Sequence, residues 1–168
     1  MKQLFGLKNI GRFLSAIGGV LIFVMMIHIC ADVISKYVFR NPVTGTREIV
    51  SAFYMVGIAF LPLLLVTTTE SHVSVELFTM KLSERKRAYV NLFAYLFSLG
   101  ATTLLFYASF DQAIRKMGTG ESWETASGSI AIWPSRWIVP VGLGLGAIGF
   151  LYLVLKTIKD LRGRNGSA

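Results

Sequence analysis

His28, Asp32 and Lys36 follow one another at intervals of four residues. On a helix this spacing stacks all three on one face. An imidazole, a carboxylate and an ammonium in line are the parts of a proton or ion relay. The same residues also make a plainer arrangement, in which Asp32 pairs with Lys36, Lys36 reaches along its apolar stem toward the surface, and His28 faces another helix. The plainer arrangement fits better. All three residues lie in the outer half of the apolar segment that carries them, and no second acidic residue stands near its midpoint to extend a path.

The other ionisable residues read as structural. Glu48 heads the next apolar segment, where a helix N-terminus favours a carboxylate and where Arg40 and Arg47 are within reach. Asp111 and Arg115 form an i, i+4 pair. Cys30 is the single cysteine, so no internal disulfide forms, and a thiol within an apolar run behaves as a small hydrophobe. His28 and His72 belong to different layers and share no metal. The chain has no glycine-rich phosphate loop and no HExxH, GxSxG or CxxC pattern. Neither an enzyme nor a cofactor is expected.

The elements that carry these residues follow from composition. Of 168 residues, 54% are hydrophobic and 15% charged, against about a quarter charged in soluble domains. About 20 apolar residues in a helix cross a bilayer, and four segments qualify: residues 12–38, 48–69, 88–113 and 137–155. The first exceeds the 7–15 apolar residues of a signal peptide, and no small-x-small site closes it, so it is read as a retained helix. The expected fold is all-α and integral to the membrane, a single four-helix domain over residues 1–160 followed by a polar, disordered tail at 161–168.

Lys and Arg outnumber Asp and Glu by 17 to 9. On a soluble protein a net charge of +8 points to nucleic acid; here no soluble surface remains to read it. The basic residues cluster in the N-terminal tail (Lys2, Lys8, Arg12), the second loop (Lys81, Arg85, Lys86, Arg87) and the C-terminal tail (Lys156, Lys159, Arg162, Arg164). They outnumber those of the other loops (Lys36, Arg40, Arg47; Arg115, Lys116, Arg136), which places both termini in the cytoplasm, against anionic lipid. Within the second loop, Val75, Phe78 and Leu82 recur at helical spacing ahead of a basic cluster, as in a short amphipathic helix lying in the interface. Gly11, Ser15 and Gly19, and again Gly142 and Gly146, are spaced for close helix packing. Pro62 and Pro140 are expected to kink or loosen their helices. A carrier binds its substrate near midplane between repeats; this chain has no repeat and almost no midplane polar group, so it lacks the parts of a carrier.

The stretch KYVFRNPVTGTREIVSAFYMVGIAFLPLL, followed by ESHVSVELFTMKLSERKR and later by IWPSRWIVPVGLGLG, resembles the small permease subunit of tripartite ATP-independent periplasmic (TRAP) transporters, the DctQ-like family. The matching elements are Tyr37 and Phe39 before Pro42, Glu48 at the second span, His72 with Val73 and Val75 after it, and Trp133, Trp137, Pro140 and Gly142 leading into the last span. Where many members carry an aromatic residue before the glutamate, this chain has Thr46 and Arg47.

The resemblance implies a bacterial inner-membrane protein that packs on the static scaffold of a large permease. It implies help in receiving a periplasmic solute-binding protein during ion-driven, usually sodium-driven, uptake of an organic acid. Large-subunit contacts are then expected among Tyr37, Trp133, Trp137, Pro140, Gly142 and Gly146, and binding-protein contacts among Arg40, Arg47, Glu121 and Glu124. The alternative is an autonomous four-span exporter or channel acting as a homo-oligomer, which would depend on Asp32 for coupling.

Overall fold

With no water in the hydrocarbon core, an apolar segment has to satisfy its own backbone, and a helix does so. The computed structural model describes residues 2–68, 84–125 and 128–165. Four of its helical segments are long and apolar enough to cross a membrane: Asn9–Val38, Thr46–Thr67, Lys86–Gly118 and Trp133–Arg162. The first belongs to helix α1 (Lys2–Val38), whose 37 residues reach about 55 Å at 1.5 Å each, well beyond a bilayer core of about 30 Å. The second is built from α2 (Thr46–Ile49), a π-helical turn (Val50–Tyr54), α3 (Met55–Phe60) and α4 (Leu63–Thr68). The third is α5 (Glu84–Gly118). The fourth is a 3-10 turn (Trp133–Trp137) running into α6 (Ile138–Asn165). The amphipathic helix expected in the second loop falls within 69–83, outside the described residues, as does His72.

The structure departs from the sequence reading at three points. The fold is not purely helical: Ser122–Thr125 (β1) and Gly128–Ala131 (β2) pair antiparallel between the third and fourth spans, Trp123 opposite Ile130 and Glu124 opposite Ser129. Pro140 does not interrupt its helix. It is the third residue of α6, where the chain has just changed from 3-10 to α geometry, and the first turn of a helix tolerates a residue that lacks an N–H. Pro62 does break the second span. The helix gives way to a turn over residues 61–62, where the Leu61 N–H still donates to the Gly57 carbonyl at 3.0 Å and the Val66 N–H donates to the Pro62 carbonyl at 3.1 Å. At the other end α6 continues to Asn165, so residues 161–165, expected in a polar tail, are helical.

The spans stand in a row, first, second, fourth, third, and not in a closed bundle. The second packs on both the first and the fourth, and the third packs along the fourth. Burial follows that order. The apolar windows of the second and fourth spans are 22% and 39% buried, those of the first and third 6% and 0%.

Glycine makes the central contact possible. A Cβ at Gly142 would lie 2.5 Å from the Phe60 carbonyl oxygen, one at Gly146 2.7 Å from Leu63 Cδ2, and one at Gly149 3.0 Å from Thr67. One face of α6 thus lies directly on the broken second span. On the first span the close approaches are Gly11 to the Leu65 backbone, at 2.9 Å, and Gly18 to Pro62, at 3.4 Å. Gly19, expected in that stripe, faces open space.

Gly142→Leu is therefore expected to lower stability by about 1–3 kcal/mol through overpacking, seen as a reduced thermal midpoint in detergent. Gly19→Leu should leave the midpoint unchanged.

Candidate functional site

The polar residues of interest gather at the end of the molecule that carries the β-hairpin. The end of α1 and the loop after it are tied together by side chains. Asp32 Oδ1 accepts the Val43 N–H at 2.8 Å, and Ser35 Oγ donates to the Asn41 carbonyl at 2.5 Å. Asp32 is thus a brace for the loop. No ion pair joins it to Lys36 among the described residues; the exposed Lys36 ammonium stands 5.9 Å from the Tyr37 ring centroid. His28 meets the second span, with Nδ1 3.3 Å from the Tyr54 hydroxyl and the rings edge to face. Tyr54 closes the π-helical turn, a feature the apolar pattern alone does not reveal. His28, Asp32 and Lys36 therefore engage three different neighbours.

Glu121 is the hub of the hairpin. Its carboxylate accepts two hydrogen bonds from the Arg136 guanidinium, at 3.0 and 3.1 Å, and the Lys116 ammonium is 3.2 Å away. Its backbone carbonyl accepts from the Ile132 and Trp133 N–H groups, and its own N–H donates to the Lys116 carbonyl. The end of the third span, the hairpin and the start of the fourth span thus close on one residue. The Arg136 guanidinium, with help from Lys116 and against the effect of burial, holds the Glu121 carboxyl below the usual carboxylate range. The Glu121 side chain, expected among the binding-protein contacts, is 15% exposed and is held by Arg136 and Lys116.

The hairpin also rests on the first loop. Gly45 has φ +81°, in the left-handed region that favours glycine, and a Cβ there would collide with Ile130 Cδ1. The two loops form one rim. Arg40 (φ +53°), Arg47, Glu124, Val43 and Trp123 are exposed on it, and among the described residues Arg47 makes only a long 3.9 Å contact with Glu48. Asp111 and Arg115 pair as an i, i+4 bridge on α5.

Of the residues expected to meet a large subunit, Tyr37 is 77% exposed. Trp133 and Trp137 are half-buried, and the Trp137 ring packs edge to face on Phe110 of the third span, centroids 5.6 Å apart. Pro140, Gly142 and Gly146 are buried inside the chain; the two glycines pack on the second span, and a close internal contact has already used their small size. Sequence reasoning missed Tyr54, Ile130 and the Gly45 contact. The Ser-Gly dipeptide at 127–128, following Ser-Trp-Glu-Thr, is the turn signal that marks the hairpin.

Among the described residues, no three His, Cys, Asp or Glu side chains come close enough to hold a metal ion. Apolar crossing helices and a braced polar rim define a polytopic membrane protein. Residues 25–161 match the family described as tripartite ATP-independent periplasmic transporters, DctQ component, and the chain belongs to that family. It is a family of transporter components and not of enzymes. Neither the curated proteins nor the solved structures provide a match.

A carboxyl with a lowered folded-state pKa contributes stability above its unfolded pKa and loses it as pH falls through the folded value. The Glu121 clamp should therefore hold at neutral pH and release only below the ordinary 4.5. Trp123 emission should shift red on that descent, and Glu121→Gln should show the shift already at neutral pH. Emission that stays constant in both would mean that the hairpin does not depend on the clamp.

Proposed function

We propose that this chain is the small membrane subunit of a TRAP transporter in the bacterial inner membrane. In this reading residues 1–160 form one membrane domain with an interfacial helix between the second and third spans. Both termini are cytoplasmic and the hairpin rim faces the periplasm. The chain is not an enzyme and needs no cofactor of its own. It packs on the static scaffold of the large permease and widens it, while the solute-binding protein docks from outside. Uptake of an organic acid is driven by an ion gradient, sodium in the usual family arrangement.

The observation that carries the proposal is the family match across residues 25–161. The open row of spans is consistent with it, because the first and third spans present long apolar flanks to lipid or to a larger partner. On the rim, Arg40, Arg47 and Glu124 remain as docking residues, and Tyr37 as a contact for the large subunit. The half-buried Trp133 and Trp137 are left with a secondary role there.

The deciding experiment is a pull-down of the tagged chain from mild detergent, with mass spectrometry of what accompanies it. A stoichiometric multi-span partner is expected. A chain that purifies alone as a homo-oligomer and moves solute in liposomes would overturn the proposal in favour of an autonomous exporter. Arg47→Glu and Glu124→Lys should each lower uptake about fivefold at limiting binding protein and much less at saturation, as for charges that steer docking. Uptake unchanged at limiting binding protein would remove these residues from the docking surface.

A further inference from the structure

At the end of the molecule away from the hairpin, a cavity of about 180 Å³ opens between the start of α5 and the end of α6. Its walls include Asn91 and Tyr95 from α5 and Lys156, Thr157 and Asp160 from α6. It lies near the limits of the two crossing segments, which begin at Lys86 and finish at Arg162. That is the depth at which apolar helix gives way to lipid headgroups. Lys86, Lys159 and Arg162 are exposed nearby in sequence, so the surroundings favour a phosphate.

The wall has unfilled hydrogen-bonding capacity. The half-buried Asn91 carboxamide has no hydrogen-bond partner among the described residues, nor does the Asp160 carboxylate. The Thr157 hydroxyl donates to the Leu153 carbonyl at 2.9 Å, which leaves only its lone pairs for a ligand. An amide and an ammonium beside an acceptor-only carboxylate suit a ligand that is anionic at one point and carries N–H or O–H donors at another.

We infer that this cavity binds the headgroup of a membrane glycerophospholipid. Asn91 donates to the phosphate, with the positive charge of Lys156, which already engages another group, beside it, and Asp160 accepts a hydrogen bond from the terminal ammonium or hydroxyl of an ethanolamine or glycerol headgroup. Choline, with no N–H and no O–H, leaves Asp160 unpaired. The site goes beyond the proposed transport role and does not depend on it. The positive-inside orientation would place it in the cytoplasmic leaflet.

Native mass spectrometry tests this on the full chain, extracted with whatever subunits accompany it, stripped of lipid and titrated with phosphatidylethanolamine, phosphatidylglycerol or phosphatidylcholine. The first two should survive activation that removes the third. Asp160→Asn should cut that preference about tenfold, the effect of losing one hydrogen bond to a charged group. Asn91→Leu should weaken all three lipids. If Asn91→Leu fails to fold, Asp160→Asn, at an exposed position, carries the test alone. Equal retention of the three lipids by the unmodified chain, or a preference unchanged in Asp160→Asn, would overturn the inference. Displacement of bound lipid by inorganic phosphate or glycerol phosphate would assign the cavity to a soluble ligand and overturn it as well.

Discussion

The close approach of the fourth span to the second holds the rest of the structure in place. Between helices in lipid, the hydrophobic effect offers little, because hydrocarbon tails are as apolar as leucine. Contact then depends on van der Waals fit, and fit depends on how near two backbones come. Gly142, Gly146 and Gly149 set that distance against Phe60, Leu63 and Thr67. The second span in turn supports the first through Gly11 and Gly18, and the fourth supports the third along its length. Losing the central contact would leave two weakly connected pairs.

The arrangement separates two kinds of surface. Small residues are used up inside the row, so the flanks of the first and third spans keep bulky side chains such as Phe13, Phe23, Phe93, Phe97 and Leu104 exposed. In water such surface would drive aggregation; in a bilayer it meets lipid or another membrane protein at little cost. Polar residues are treated in the opposite way. Glu121, Arg136 and Lys116 satisfy one another where the chain leaves the hydrocarbon, and Asp32 satisfies a loop N–H. They give the hairpin end a defined shape and leave Arg40, Arg47 and Glu124 outward.

Reading the chain as a sequence worked where a signal is summed over many residues, and less well where one contact decides. Four crossing helices follow from long runs of apolar side chains, each sufficient by itself. The family likeness follows from an ordered set of short motifs spread over most of the chain. The apparent Asp32–Lys36 pair misled because spacing shows which groups are able to meet; the nearer Val43 N–H claims the carboxylate. Glu121 looked like a free acidic residue in a loop until the hairpin that follows it brought Arg136, fifteen residues away, to its carboxylate.

The sequence by itself determined that this protein lives in a membrane, that four of its helices are long and apolar enough to cross it, and to which family it belongs. Hydrocarbon selects for these properties residue by residue, through the free energy of moving each side chain out of water. Only the tertiary structure decided that the helices form a row, that Gly18 and not Gly19 faces a neighbour, and that Gly142 and Gly146 pack against the second span. A helix apolar on every side carries no label for the face it buries. That choice depends on the shapes of the helices that come to lie beside it.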